Sequence, residues 1–455
     1  MLAGSAGAQS ITDALSKAYL TSPDLRAARR ALDAANEQRP QALANWMPRV
    51  TIGPQLQTQM TTQPNRLSVP YVSSAFTAVQ GPGVTASLQQ PITQGGGEWS
   101  RLAQAEALIR QARANLLNTE QTVLFNAAQA DLDVYTAARQ VQYRIEARDA
   151  LRQVTEAMDR LLAVQDVTEA DTLFSRSRLA AAEANLAQTR AQLDEARARY
   201  RQVVGSDPPA KLDSVPPLTV LPQRLGEAVA AAAESNPSVV ATYYADLAAR
   251  QGINVATAAL LPTLAFTAQY TRNWSTYNPD LAAAYGRARS GNYSSGQLTL
   301  QMQIPLYQGG AEYATVRQAK KQELQQRSLL ESARRQAIST VEQVWNQRIG
   351  DVASVAALEV QSAALTRTVA DYRRALGVGL RTVLEILDSL QDLANAEVQL
   401  AQTRESRILD DYNILQGMGG LTARTLGLPV PYYDPDGDYQ RTRWRLIGLS
   451  VNSAD

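Results

Sequence analysis

Cysteine and histidine are absent from this chain. Their absence excludes disulfides, thiolate and imidazole metal sites, cysteine nucleophiles and the Ser-His-Asp triad. A surplus of one charge is also missing: Lys and Arg number 44 and Asp and Glu 43, for a net charge of +1. Nucleic-acid binding needs a basic face, which this balance does not supply. No run of 18 apolar residues occurs, so no segment is written as a membrane-spanning helix. A β-barrel escapes that exclusion, because its strands show lipid only every second residue. Carboxylates and lysines remain, but no nucleophile–base constellation accompanies them, and the chain reads as a non-enzyme without a cofactor. Residues 1–10 are rich in small residues and read as the remnant of a secretory signal or as a disordered start.

What is present is an internal repeat. AEANLAQTR at 182–190 returns as AEVQLAQTR at 396–404. The same offset of 214 carries Pro23 onto Pro237, Pro48 onto Pro262 and Pro91 onto Pro305. It carries Gln94-Gly95-Gly96 onto Gln308-Gly309-Gly310, Thr168 onto Thr382, and Gly205 onto Gly419. One constant offset means duplication without net insertion. The division that follows is a first repeat over 11–210, a linker over 211–224, a second repeat over 225–420 and a C-terminal tail over 421–455.

Each repeat opens with a helix-forming stretch that a proline interrupts at Pro23 or Pro237. After Pro48 the period becomes two. Val50, Ile52, Leu56 and Met60 alternate with Thr51, Gly53, Gln55, Gln57 and Gln59, and Val84, Ala86 and Leu88 with Thr85, Ser87 and Gln89. In the second repeat Leu264, Phe266, Ala268 and Tyr270 alternate with Thr263, Thr267 and Gln269. Leu298, Leu300, Met302 and Ile304 alternate with Gln297, Thr299, Gln301 and Gln303. Such alternation predicts four strands. None of these segments carries a charge; their polar face is Gln and Thr. The stretches 61–83 and 271–296 read as long loops, with Tyr71, Phe76, Tyr270, Trp274 and Tyr293 near the strand ends. Apolar-out, polar-in strands with aromatic ends fit an outer-membrane barrel. The alternative is an open antiparallel sheet in a soluble α+β protein, which ordinarily carries Lys or Glu on its free face.

Glycine and proline then vanish between Glu98 and Leu162. At about 1.5 Å per residue that run is a helix of roughly 100 Å. Leu102, Ala105, Ile109, Ala112 and Leu116 follow a 3-4-3-4 rhythm, the spacing of a coiled coil. A turn near Val164–Thr168 leads to a second helix over about 170–204, and the corresponding turn in the second repeat is Gly377–Thr382. Four strands cannot close a barrel alone, since the smallest outer-membrane barrels have about eight. Three chains would give twelve strands and a lumen. The fold class expected is an α+β membrane protein: a trimeric twelve-stranded β-barrel, four strands per chain, continued by a long α-helical coiled-coil barrel.

With these features the chain resembles the TolC family of outer-membrane channel-tunnels over almost its whole length. The Pro–hairpin–Pro-x-x-Gln-Gly-Gly pattern and GVGLRTVLEILDSLQDL, from Gly377 to Leu393, carry the resemblance. It implies an exit duct across periplasm and outer membrane. The implied partners are two further copies of the chain, a periplasmic adaptor, an inner-membrane ABC transporter or RND pump, outer-membrane lipid, and an exported protein or drug. Position by position, it assigns Glu385 and Asp388 to carboxylate rings at a periplasmic constriction. It assigns Asp171, which the offset maps onto Glu385, to a gating latch with Arg381. From the residues alone, four charges at a helical turn also fit ordinary solvated surface. Two positions depart from the family pattern: Gln165 stands where Gly is usual, and Leu376 where the latch usually has a Tyr.

The tail, LGLPVPYYDPDGDYQRTRWRL from Leu426, reads as irregular and as packing at the equatorial girdle. Its Asp434–Asp438 run matches a calcium loop only in part, lacking the glutamate at the twelfth position. The LGLP…YYDP character resembles channels of type I secretion systems, with drug efflux as the alternative cargo route. A soluble coiled-coil scaffold would explain the helices but not the uncharged strands.

Overall fold

The computed structural model describes residues 11–64, 74–209, 218, 220–277, 291–376 and 382–450. The expectations for residues 1–10, Tyr71, most of the 211–224 linker and Arg381 lie outside the described residues, as do the side chains of Phe76, Tyr293 and Leu376.

The first repeat runs α1 (Ile11–Thr21), α2 (Pro23–Asn36), α3 (Gln38–Ala44), β1 (Arg49–Pro64), β2 (Ser74–Gln94), α4 (Gly97–Ala163) and α5 (Glu169–Val204). The second runs α6 (Leu225–Ser235), α7 (Pro237–Ala258), β3 (Thr263–Tyr277), β4 (Gly291–Gln303), α8 (Ala311–Leu376) and α9 (Val383–Gly417), and α10 (Pro435–Thr442) follows. The helical breaks fall at the paired prolines. Ser22 Oγ accepts from Leu25 N at 3.3 Å, and Asn236 Oδ1 accepts from Ser238 N at 2.9 Å. Each supplies an acceptor to a helix whose first residue, proline, has no N–H to satisfy. Of the five α4 positions in the 3-4-3-4 rhythm, Ala105, Ile109 and Leu116 are buried and Leu102 and Ala112 half-buried.

The four strands form one antiparallel sheet in the order β1-β2-β3-β4. The register sorts side chains by chemistry. Val50 lies opposite Leu88, Leu88 opposite Ala268, and Ala268 opposite Leu298. One residue along, Thr51, Ser87, Gln269 and Gln297 form the matching row on the other face. The polar rows bond across strands: Thr51 Oγ1 to Ser87 Oγ at 2.6 Å, Thr85 Oγ1 to Thr271 Oγ1 at 3.2 Å, and Gln55 Nε2 to Asn273 Oδ1 at 3.4 Å. On the apolar face Ile52, Leu298 and Leu300 stay 72%, 76% and 65% exposed within the chain. Pro91, which cannot donate to the ladder, sits at a register shift between Pro91 and Thr93.

Two expectations are corrected. The stretches 61–83 and 271–296 are strand wherever they are described: β1 continues to Pro64, β2 starts at Ser74, β3 reaches Tyr277 and β4 starts at Gly291. Loss of the apolar alternation marks departure from lipid, whereas pairing continues because Thr, Tyr and Phe suit strands and a ladder satisfies each N–H and C=O. The tail is not irregular throughout. Asp434 Oδ1 accepts from Asp436 N at 2.9 Å, Pro435 opens α10, and the Asp-Pro-Asp-Gly-Asp run is a helix start.

The chain divides into two compact units, each drawn from both repeats: 1–35, 110–244 and 327–437; and 36–109, 245–326 and 438–455. The first has a core around Leu15, Leu25, Leu124, Val134, Tyr200 and Tyr412. There the tail is tied by Tyr433 N donating to Tyr19 Oη at 3.0 Å and by Arg113 pairing with Asp436 at 2.7 Å. The second unit contains the sheet. In it Arg39 holds the tail by donating to the Arg443 carbonyl and by stacking 4.4 Å from the Trp444 ring.

The register makes a directional prediction. An arginine at Leu300, on the apolar face, should cost about 2–4 kcal/mol of membrane stability, whereas Gln301→Arg, on the polar face, should be tolerated. Yields of assembled, heat-resistant protein in outer-membrane fractions compare the two. Equal yields would refute the facing.

Candidate functional site

Of the residues assigned by resemblance, Asp171, Glu385 and Asp388 lie in the first turns of two helices that start alike, and Arg381 lies outside the described residues. In the turn before the first, α4 ends with Gln165 at φ +61°. Gln165 N donates to Leu162 O at 2.9 Å and Asp166 N to Leu161 O at 3.0 Å, a Schellman closure. Glycine ordinarily takes that left-handed position, because a Cβ there crowds the next carbonyl by about 1–2 kcal/mol. Thr168 then caps α5 in a closed box. Thr168 Oγ1 accepts from Asp171 N at 3.2 Å, and Asp171 Oδ2 accepts from Thr168 N at 3.3 Å and from its hydroxyl at 2.6 Å.

The second turn repeats the box. Thr382 Oγ1 accepts from Glu385 N at 3.4 Å, and Glu385 Oε2 accepts from Thr382 N at 2.9 Å and Thr382 Oγ1 at 3.0 Å. Asp171 and Glu385 therefore hold equivalent places and both work as helix-start carboxylates, where the helix dipole also favours them. Asp388, one turn on, is exposed and pairs with Arg178 of α5 at 2.9 Å, while Arg178 also donates to Gln391 Oε1 at 2.6 Å. The structure thus brings Asp388 to a partner that the sequence reading missed. A signal existed: the repeat offset maps Arg178 onto Asp392, a charge reversal at one equivalent position. The capping boxes were also legible as T-x-x-D and T-x-x-E. Beneath the turns, Leu151 and Val154 of α4, Val369 of α8, and Ile386, Leu387 and Leu390 of α9 form a buried cluster.

Farther along the helices, carboxyl groups are buried. Asp411 is 1% exposed and pairs with Arg348 at 2.5 Å. Its neighbour Asp410 is buried too, and desolvation, then Asp351 and Asp411, push it up to about 7. Asp410 Oδ2 and Asp351 Oδ2 are both buried without a hydrogen-bond donor. Two ionised carboxylates cannot bond each other, whereas a protonated Asp410 is a donor for its neighbour. Burial raises Asp131 to about 7, and burial together with adjacent Asp133 raises Glu405 to about 8.

The profile of the outer membrane efflux protein family matches residues 14–206 and 228–420, one match per repeat. The chain belongs to the outer membrane efflux protein family. It is 29% identical over 444 residues to the outer membrane efflux protein BepC of Brucella suis, covering 97% of this chain and 92% of that one. It is 26% identical over 431 residues to the outer membrane protein TolC of Escherichia coli, covering 92% and 84%. The crystal structure of the Campylobacter jejuni outer membrane channel CmeC superposes with a TM-score of 0.76 at 13% identity, covering 95% of this chain and 89% of that one, which is a likeness of fold.

As a member of the outer membrane efflux protein family this chain is a channel protein of the Gram-negative outer membrane, with its helical part in the periplasm, and is not an enzyme. Its fold class is the expected one. Each chain of the family fold contributes four strands to a trimeric twelve-stranded barrel and long helices to a coiled-coil barrel, and carries the twofold repeat. Family members work with periplasmic adaptors and inner-membrane transporters.

Two predictions follow from this geometry. Gln165→Gly should relieve the left-handed strain and raise the unfolding midpoint by an amount equivalent to about 1 kcal/mol, measured by thermal denaturation in detergent; an unchanged or lowered midpoint would show that the Gln165 side chain earns its place by contacts. The second concerns pH. Asp131, Asp410 and Glu405 are raised above the ordinary carboxylate range, so the folded chain holds protons that the unfolded chain releases. Their stabilising contribution is full below the unfolded values near 4 and is lost as pH rises through about 7 to 8. The thermal midpoint should fall from pH 6 to pH 9, and Asp410→Asn with Glu405→Gln should flatten the slope. A parent profile flat over that range would contradict it.

Proposed function

We propose that three copies of this chain form a gated exit duct that conducts substrate from an inner-membrane transporter and periplasmic adaptor to the cell exterior. The observation that carries the reading is the sheet. Its two faces separate by chemistry through the central rows, and β1 and β4 are open edges that further copies can pair. The Gln and Thr face lines the lumen. The tail belts the equatorial girdle, tied to α1, α2 and α4.

The gate is at the paired turns. Glu385 and Asp388 of three chains bring six carboxylates to a constriction, a ring that favours cations. Asp171 and Arg381 form the latch between turns. The capping box gives Asp171 a second duty, so removal of its charge must be separated from removal of its cap. With Leu376 in place of the family's tyrosine, fewer contacts hold the closed state, and each exposed ion pair contributes only about 0.2–1 kcal/mol.

The cargo proposed is protein, by the type I route through an ABC transporter, supported by the LGLP…YYDP tail. A second reading, efflux of small molecules through an RND pump, is supported by the name of the relative BepC. In a deletion strain, loss of a secreted protein from the medium marks the first reading, and increased drug sensitivity with unchanged secretion marks the second.

Planar-bilayer recordings test the gate. The parent should be cation-selective and blocked by trivalent metal ions from the periplasmic side, and Glu385→Gln with Asp388→Asn should abolish the block. Arg381→Ser should raise conductance severalfold, and Asp171→Asn should do the same while retaining an oxygen for the Thr168 cap. A double variant blocked as strongly as the parent removes Glu385 and Asp388 from the constriction. Unchanged conductance in both latch variants means that another contact closes the tip.

A further inference from the structure

The first compact unit holds a cavity of about 580 Å³ that the duct reading leaves unused. Its walls come from α1, α2, α4, α7 and the tail, and its chemistry is concentrated in arginine and tyrosine. Arg29, Arg110, Arg113 and Arg424 line it together with Tyr19, Tyr244, Tyr432 and Tyr433. Glu120 is the sole carboxylate on its lining. It accepts from Ala423 N at 2.9 Å; burial raises it above the usual carboxylate range, and the Arg29 guanidinium partly offsets that rise, so Glu120 balances one of the four cations. Asp436 neutralises Arg113 at 2.7 Å. The cavity is left with a positive excess.

The arginines are held in a particular way. Arg29 lies 4.8 Å from the Tyr19 ring and 5.1 Å from the Tyr433 ring. Arg424 lies 5.6 Å from the Tyr432 ring, and Arg110 lies 5.8 Å from the Tyr244 ring. A guanidinium stacked on a ring spends its flat face on the contact and keeps its N–H groups at the edge, in the geometry that a carboxylate or sulfonate accepts from. Arg29 Nε is buried and makes no hydrogen bond within the chain. A buried donor left in that state carries a desolvation cost that an acceptor would remove. Leu25, Leu116, Leu117 and Val240 supply apolar wall, and Ser235 and Thr422 add two neutral polar groups. The volume falls in the range of small-molecule sites, roughly 300–1,000 Å³.

We infer that this cavity is a binding site for a small organic anion with a flat apolar body, its carboxylate or sulfonate held by Arg29 and Arg424 and its body packed among Tyr19, Tyr432 and Val240. The inference is independent of which cargo the duct carries and of where the constriction lies, because none of its residues belongs to the paired turns.

The test uses the intact protein in lipid nanodiscs and the probe 2-naphthoate, with 2-naphthamide as the neutral isostere and empty nanodiscs as blank, measured by isothermal titration calorimetry. Saturable naphthoate binding at one site per chain is expected, at least tenfold tighter than naphthamide and weakened by salt. Arg29→Gln with Arg424→Gln should lower affinity at least tenfold. Since Arg29 also braces two tyrosines, Val240→Trp is the second variant: it fills the cavity, leaves every guanidinium in place and should abolish binding. Native mass spectrometry confirms that each variant keeps the oligomer of the parent. No saturable binding beyond the blank, equal affinity for naphthamide, or unchanged affinity in Val240→Trp would each overturn the site. The first of these is also the outcome if a neighbouring copy fills the cavity in the assembly.

Discussion

A backbone N–H or C=O in hydrocarbon has no water to turn to, so a sheet that enters a membrane must pair every edge. One chain of this protein supplies four strands in simple sequential order, and both outer strands end in an open edge. Oligomerisation is therefore part of the fold and not an addition to it. The same constraint explains the composition of the strands. β2 and β4 contain no charged residue, and β1 and β3 contain one each, Arg49 and Arg272, well away from the middle of the apolar rows. A face that meets lipid excludes charge, and a face that meets a wet lumen satisfies its needs with Gln, Thr and Ser bonded across strands.

Duplication then halves the problem. Each repeat brings one hairpin, one long helix and one shorter one, and the same punctuation serves twice: a proline to restart a helix, a Gln-Gly-Gly stop after the hairpin, and a threonine box at the far turn. The two copies have drifted where asymmetry is useful. Position 178 is arginine in the first repeat while its equivalent 392 is aspartate. The first joins α5 to α9 through Asp388. Two copies of one hairpin cannot bond through like charges, so divergence at such a position allows the halves to cohere.

Much of this is legible in the sequence. Alternation between residues 50 and 60 and between 263 and 270 located strand cores, because lipid and lumen impose a period of two on side chains. It did not locate strand ends, because beyond the membrane both faces are polar and the period disappears while pairing persists to Pro64 and Tyr277. The tail helix was hidden by Asp434–Asp438, whose turn-like residues are also those that begin a helix. The roles of Asp171 and Glu385 as caps were written in the threonines three residues before them. The meeting of Asp351 and Asp410 was not written anywhere local. It depends on two residues of different helices losing water together, and only packing decides that.

The extension of the strands past their apolar rows has a consequence outside the cell. β2 spans 21 residues, which at about 3.3 Å each is roughly 70 Å of strand, against a hydrocarbon layer of about 30 Å. Even after tilt, a length of paired backbone stands beyond the lipid. What approaches the described strand ends from the medium, whether antibody, phage fibre or toxin, meets paired backbone rich in Thr, Ser and Gln. Recognition there requires little ordering of the target, so even a small contact area can hold tightly. Among the described residues these strand ends offer few ionic handles, so binders of the paired collar should be selected for shape and will be little troubled by the salt of their surroundings.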